Sequence, residues 1–245
     1  MELVKHNWFE KWFNTPYYHL LYNNRTHTEA DLFIAKLMQC LNLKAQSRVW
    51  DLACGKGRHS IALNKLGYNV VGTDLSEESI NGASQFENDN LQFYRLDMRS
   101  PFRTNYFDAV LNLFTSFGYF DNVNDDIKVF KSISNSLKPN GIFVFDYLNR
   151  DWVINNLQAQ QEIVKNEINF VIKKQIENNR VIKHIKVIDG NIYSEFIECV
   201  RLYPLEELLK IAEKTQLKME TVFGDYDLGN YNEKSSRMII IFRKK

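Results

Sequence analysis

The sequence has no stretch approaching the ~20 consecutive apolar residues that a membrane span needs, which argues against a transmembrane helix and a membrane partner. Cysteine is sparse: Cys40, Cys54 and Cys199 are odd in number and widely separated. That spacing offers neither a disulfide framework nor a zinc pattern, so no metal is expected, and reduced thiols in a cytoplasmic protein are the simplest reading. A surplus of one charge is also missing. Lysine and arginine number 31 and aspartate and glutamate 30, a net charge of +1. Proteins that grip nucleic acid through its phosphates usually carry a basic excess, so no nucleic-acid partner is expected. There is no internal repeat and no low-complexity tract. Residues Met1 to Pro16 interleave charges with Trp8, Phe9, Trp12 and Phe13 and lack the continuous apolar core of a signal peptide.

What is present is an ordinary globular balance, 44% hydrophobic and 25% charged over 245 residues, enough for one large α/β domain with a small insertion. From Arg48 to about Tyr147 short apolar runs alternate with helical spacing. Val49 to Leu52, Asn69 to Asp74, Leu91 to Arg95, Phe107 to Leu113 and Ile142 to Phe145 read as strands. Ile61 to Leu66, Glu77 to Asn88 and the Ile127, Phe130, Ile133, Leu137 series read as helices between them. Such alternation predicts βαβ units and a parallel sheet. Ahead of it, Ala30, Phe33, Ile34, Leu37, Met38 and Leu41 share one helix face, with Thr28 and Asp31 resembling a capping box.

After Tyr147 the texture changes. Ile168, Phe170 and Ile172 alternate with polar residues, and Asn178-Asn179 and Asp189-Gly190 are turn signals. Residues 150–201 therefore read as a small antiparallel β unit inserted into an α/β domain made of residues 1–149 and 202–245. Pro204 with Glu206 and Glu207 starts a further helix, and Met219 to Phe223 and Met238 to Phe242 are closing strands.

The strongest local signal is the run Asp51-Leu52-Ala53-Cys54-Gly55-Lys56-Gly57, where the first strand passes into the first helix. Small residues there let backbone approach a ligand, and a helix N-terminus offers free N–H groups. Asp74 ends the second strand, where an acid can accept bonds from both hydroxyls of a ribose. Asp97, beside Met98, follows the third, where a carboxylate can accept from an adenine amino group. Open parallel sheets bind ligands at that carboxyl edge.

With these residues in order, the sequence resembles the class I S-adenosylmethionine (SAM)-dependent methyltransferase family. The glycine turn matches its first motif with Ala53 in place of the first glycine; Asp74 matches the ribose acid and Asp97-Met98 the adenine pair. Phe107 to Leu113 matches the fourth-strand motif, and Leu137-Lys138-Pro139-Asn140-Gly141 the turn before strand five. The resemblance spans roughly residues 25–148 and resumes from about 204. It implies a Rossmann-like, doubly wound, seven-stranded and mostly parallel sheet. It also implies SAM as donor, S-adenosylhomocysteine (SAH) as product, and cofactor contacts from Asp51, Ala53, Cys54, Gly55, Gly57, Asp74, Leu75, Asp97 and Met98.

The β-rich insertion and Phe114-Thr115-Ser116-Phe117-Gly118-Tyr119-Phe120 further resemble small-molecule enzymes of the glycine N-methyltransferase and aminosugar N,N-dimethyltransferase type. That layer implies a small-molecule acceptor with N-methylation favoured, and a monomer or homodimer. By the same resemblance Arg25, in Arg25-Thr26, would bind the cofactor carboxylate, Leu113 would contact the cofactor, and Thr115 and Tyr119 would face the acceptor. Tyr18, Tyr22, Tyr119 and Tyr147 are candidate acceptor-side hydroxyls, and no general base is evident.

Plainer readings stand beside these. Asp51 can merely bond the glycine turn; Arg25 can be a surface charge; the N-terminal aromatics read as packing before they read as an acceptor cage or a lid. A nicotinamide-dependent oxidoreductase would use the same glycine turn, but no Tyr-x-x-x-Lys accompanies it. A SAM-binding protein without catalysis would share every cofactor motif.

Overall fold

Alternation along the central strands sends side chains to two separate apolar cores, one on each face of a single sheet. The computed structural model describes residues 7–22 and 27–245, the side chains of residues 27–29 aside. Two short helices, α1 (Trp8–Trp12) and α2 (Pro16–Leu21), precede the long α3 (His27–Leu41). Then follow β1 (Arg48–Leu52), α4 (Arg58–Lys65), β2 (Asn69–Asp74), α5 (Glu77–Ser84), β3 (Leu91–Arg95), β4 (Phe107–Asn112), α6 (Val123–Ser136) and β5 (Leu137–Leu148). The chain continues with α7 (Arg150–Asn156), β6 (Gln160–Lys165), β7 (Ile168–Glu177), β8 (Arg180–Asp189) and β9 (Ile192–Arg201). It closes with α8 (Leu205–Glu213), β10 (Leu217–Phe223) and β11 (Arg237–Lys244).

Seven strands form the main sheet in the order β3-β2-β1-β4-β5-β11-β10, with β11 antiparallel to both of its neighbours. This is the doubly wound, mostly parallel arrangement that the family resemblance implies, with the parallel strands that the strand–helix alternation predicts. Trp50, Val110 and Phe143 pack on one face with Phe130 and Ile133 of α6 and Leu208 of α8. Val49, Ala109 and Val144 pack on the other with Phe33 and Leu37 of α3, Leu63 of α4 and Ile80 of α5. Both faces are covered, so the inner strands are apolar almost throughout. No helix among the described residues is long and apolar enough to cross a membrane.

Between β5 and α8 lies a four-stranded antiparallel sheet, β6-β7-β8-β9. Asn178 and Asn179 join β7 to β8 with φ of 50° and 56°, the left-handed pair that a two-residue hairpin turn requires. Asn166 and Glu167 make the equivalent turn between β6 and β7 with φ of 47° and 66°. Phe170, Ile172, Ile182 and Ile185 face the same core as Trp50.

The structure departs from expectation at α7 and α5, and Leu137, expected in the helical series, opens β5 instead. α7 precedes the small sheet, capped by the Asn149 side chain, which accepts from the Asp151 amide at 3.1 Å. α5 ends at Ser84 rather than Asn88, because Asn88 pairs with Leu91 and the Glu87 carboxylate accepts the Phe93 amide at 2.8 Å. The backbone there is already committed to β3.

Candidate active site

The turn leaving β1 bends through three left-handed residues, Ala53 (φ 60°), Gly55 (φ 56°) and Gly57 (φ 78°). The Cys54 amide donates to the Thr73 carbonyl at 2.9 Å, tying the turn to β2, and the Gly57 amide donates to the Cys54 carbonyl at 3.0 Å within the turn. The two glycines do different work. A Cβ on Gly57 would lie 2.7 Å from the Phe93 ring, so that glycine lets α4 close against β3; a Cβ on Gly55 would meet nothing within 4 Å. Ala53 holds its left-handed backbone with a side chain, at a cost of about 1–2 kcal/mol.

Asp74 stands at the end of the neighbouring strand, β2. Its Oδ2 accepts the Gly55 amide at 2.8 Å and its Oδ1 the Ser76 amide at 2.8 Å. Burial pushes this carboxyl above its usual range, and the amides of Ser76 and Gly55 offset part of that push. With one amide on each oxygen, the carboxylate retains acceptor capacity on both for two further donors. Asp97, beyond β3, is gripped by Arg99: Nε lies 3.0 Å from each carboxylate oxygen and Nη2 2.5 Å from Oδ2. Burial raises this carboxyl, but the Arg99 bonds outweigh it and hold Asp97 below the ordinary range.

A cavity of about 390 Å³ opens over these strand ends. Its sheet side is formed by Ala53, Gly55, Asp74, Leu75, Leu96, Asp97 and Met98. Its other wall is aromatic, with Phe9, Phe13 and Tyr18 from the N-terminal helices and Tyr119 and Phe120 from the loop after β4. Among the described residues its charged lining is acidic, with Glu10, Asp74, Glu77 and Asp97 against Arg95 alone.

Two polar anchors hold α1 and α2 over this space. Asn14 Oδ1 accepts from Ser76 Oγ (2.9 Å) and the Glu78 amide (3.2 Å), joining the α1–α2 turn to the start of α5. On the opposite side, Glu198 of β9 accepts from Trp12 Nε1 (2.7 Å) and the Tyr22 hydroxyl (2.7 Å), and pairs with Lys183 at 2.6 Å. Burial alone would raise the Glu198 carboxyl; Lys183, Tyr22 and Trp12 together hold it low and charged.

Of the residues singled out in the sequence, Tyr18, Ala53, Gly55, Asp74, Leu75, Asp97, Met98 and Tyr119 line one cavity. Asp51 does not: it is buried, takes the Ser60 hydroxyl at 2.6 Å, and burial pushes its carboxyl up to about 6. The Cys54 thiol is buried, and desolvation pushes it well above the usual thiol range. Gly57 packs on Phe93, and Leu113 lies in the α3–α5 core. Thr115 takes a bond from Arg237 at 2.8 Å, and its own backbone carbonyl receives the Tyr119 hydroxyl at 2.7 Å. Tyr22 serves the Glu198 anchor, and the fully buried Tyr147 donates to the Arg201 carbonyl. Arg25 and Thr26 lie outside the described residues.

Sequence reasoning missed Asn14 as a cavity residue and read Phe9 and Phe13 as packing before an acceptor cage or lid. Thr15-Pro16 does mark a helix start, since Thr15 Oγ1 caps α2 by accepting the Tyr18 amide at 3.1 Å. That local signal says nothing of a dock onto Ser76, 62 residues away.

A family model described as a methyltransferase domain matches residues 43–216. A glycine/sarcosine N-methyltransferase of Halorhodospira halochloris is 30% identical over 142 residues, covering 55% of this chain and 51% of that protein. The glycine/sarcosine N-methyltransferase of Parasynechococcus marenigrum (strain WH8102) is 27% identical over 221 residues, covering 84% and 73%. The chain spans about half the length of the first curated relatives it matches. Among solved structures, a SAM-dependent methyltransferase from Clostridium acetobutylicum ATCC 824 superposes with a TM-score of 0.77 at 23% identity, covering 93% of this chain and 96% of that one.

Proposed function

Since this chain belongs to the class I SAM-dependent methyltransferase family, we propose that it transfers the methyl group of SAM to the nitrogen of a small-molecule acceptor. The observation that carries the reading is Asp74, a half-buried carboxylate at the cavity edge whose oxygens accept the Gly55 and Ser76 amides and keep acceptor capacity on both. That is the acceptor set two vicinal ribose hydroxyls need. Leu75, Asp97 and Met98 are then the adenine side, and the open Ala53–Gly55 turn is the side for the amino-acid tail. The glycine/sarcosine N-methyltransferases among its relatives favour nitrogen as the acceptor atom.

SAM supplies a methyl group already activated on a sulfonium, so the protein has to align and enclose rather than activate. Alignment of this kind is worth up to roughly 7–11 kcal/mol in favourable cases. The anchored α1–α2 segment serves enclosure by keeping water from the aromatic side of the cavity. The small sheet contributes through Glu198, which fixes that segment from below, and on this reading residues 150–201 cover the acceptor side. Tyr119 is not a base: burial pushes its hydroxyl far up, and it already donates to the Thr115 carbonyl. The acceptor nitrogen releases its proton to solvent before attack.

The test is turnover. The chain incubated with SAM and a panel of small amines forms SAH only when an acceptor is present, and mass spectrometry finds the methyl on nitrogen. Methylation confined to oxygen, sulfur or carbon acceptors would refute the nitrogen assignment.

A further inference from the structure

The wall facing the sheet side narrows the acceptor further. Resting on the methyl-transfer reading, we propose that the acceptor is an amine with an apolar, aromatic-compatible body and no acid group, rather than an amino acid. Glycine and sarcosine, the acceptors in the names of its relatives, each carry a carboxylate. Among the described residues, the cavity offers that carboxylate one cation, Arg95. Arg95 is already committed: its Nη1 pairs with Glu77 at 3.0 Å and its Nε donates to the Leu75 carbonyl at 3.1 Å, on the sheet side. Among the described residues, an acceptor acid would thus lose water beside Glu10 and Asp74 with no uncommitted cation to receive it, an unfavourable exchange in a partly enclosed site.

The opposite wall selects in the other direction. Phe13 lies 4.8 Å from Tyr18 and 5.4 Å from Tyr119 between ring centroids, and Phe9 stacks on Tyr119 at 6.0 Å. These four rings make one continuous surface, and the Tyr119 hydroxyl is spent on the Thr115 carbonyl. Aromatic faces favour an apolar body and attract a cation. An amine meets both demands. It arrives protonated in an acidic cavity and gives its proton to water. Its lone pair then forms the N–C bond as the donor's S–C bond breaks, with that electron pair staying on sulfur. The product ammonium leaves as a cation beside the same rings.

The experiment compares 2-phenylethylamine, glycine and sarcosine as acceptors for the full chain with SAM, reading SAH release, alongside SAH binding by calorimetry. We expect kcat/KM for 2-phenylethylamine to exceed that for either amino acid by about tenfold or more. Phe13→Leu, which keeps an apolar side chain without a ring, raises KM for 2-phenylethylamine about fivefold, more than it raises the SAH Kd. Glycine or sarcosine turning over as well as the arylalkylamine would overturn the inference. So would SAH binding with no arylalkylamine turnover, which leaves the cofactor reading standing. Absence of SAH binding would instead remove the methyl-transfer reading, and this inference with it.

Discussion

Arg237 donates to Asp146 Oδ1 from both Nε (2.8 Å) and Nη2 (2.6 Å), and this pair, its carboxylate buried, sits directly behind the loop that brings Tyr119 to the cavity. Asp146 is fully buried at the end of β5, and its Oδ2 takes the Phe114 amide at 2.7 Å. Arg237 Nη2 also reaches Thr115 Oγ1 at 2.8 Å. Phe114 and Thr115 are both left-handed, φ 58° and 65°, which for a β-branched threonine is a strained backbone. The ion pair holds that kink in place.

Removing one partner leaves a buried charge uncompensated. Arg237→Met is therefore expected to cost about 3–5 kcal/mol in urea denaturation, and the double variant Asp146→Asn with Arg237→Met to recover a large part of that loss. Strictly additive losses would show that the pair does not act as a unit.

The two glycines of the first turn should separate stability from ligand affinity. Gly57→Ala meets the Phe93 ring and an unfavourable φ together, so it should lower stability by about 2 kcal/mol or more. Gly55→Ala meets only the φ penalty, about 1 kcal/mol, but adds a methyl where the backbone faces the cavity. Its larger effect should appear as weaker SAH binding. Thermal melting and calorimetry on both variants distinguish the two effects.

Asp126 of α6 predicts a pH dependence. It is fully buried, and desolvation pushes its carboxyl from 3.8 up to about 6, partly opposed by the Tyr203 hydroxyl at 2.7 Å. The folded state therefore takes up this proton before the unfolded chain does as pH falls. The ionised group destabilises the fold above pH 6, and its penalty shrinks as the pH drops from 6 toward 4. Asp126→Asn, which can still accept from Tyr203, should be more stable than the parent at pH 7.5 by about 1–3 kcal/mol. The advantage should vanish near pH 4. Denaturation midpoints across that range provide the check.

The main sheet is legible in the sequence because its strands are short, apolar and separated by helical spacing, and the small sheet because Asn178-Asn179 and Asp189-Gly190 are turn sequences. The ligand edge is legible because Asp74 ends one strand and Asp97 lies just beyond the next. What stays hidden is direction and partnership at longer range. Gly55 and Gly57 look alike until Phe93 is seen filling the space beside one of them. Asp51 reads as a ligand contact, yet Ser60 on the next helix takes its carboxylate. The place of Phe9 and Phe13 depends on Asn14 meeting Ser76 and on Trp12 meeting Glu198, 186 residues away. No local period encodes such contacts.

The most direct test of the account is the affinity of the chain for SAH, measured by calorimetry beside Asp74→Ala. The account predicts saturable one-to-one binding that weakens at least about tenfold in the variant, since two hydrogen bonds to a charged acceptor are lost. It also predicts an unchanged far-ultraviolet circular dichroism spectrum, so that the loss is one of contact rather than of fold. No binding to the parent chain, or equal binding to a folded Asp74→Ala chain, would contradict it.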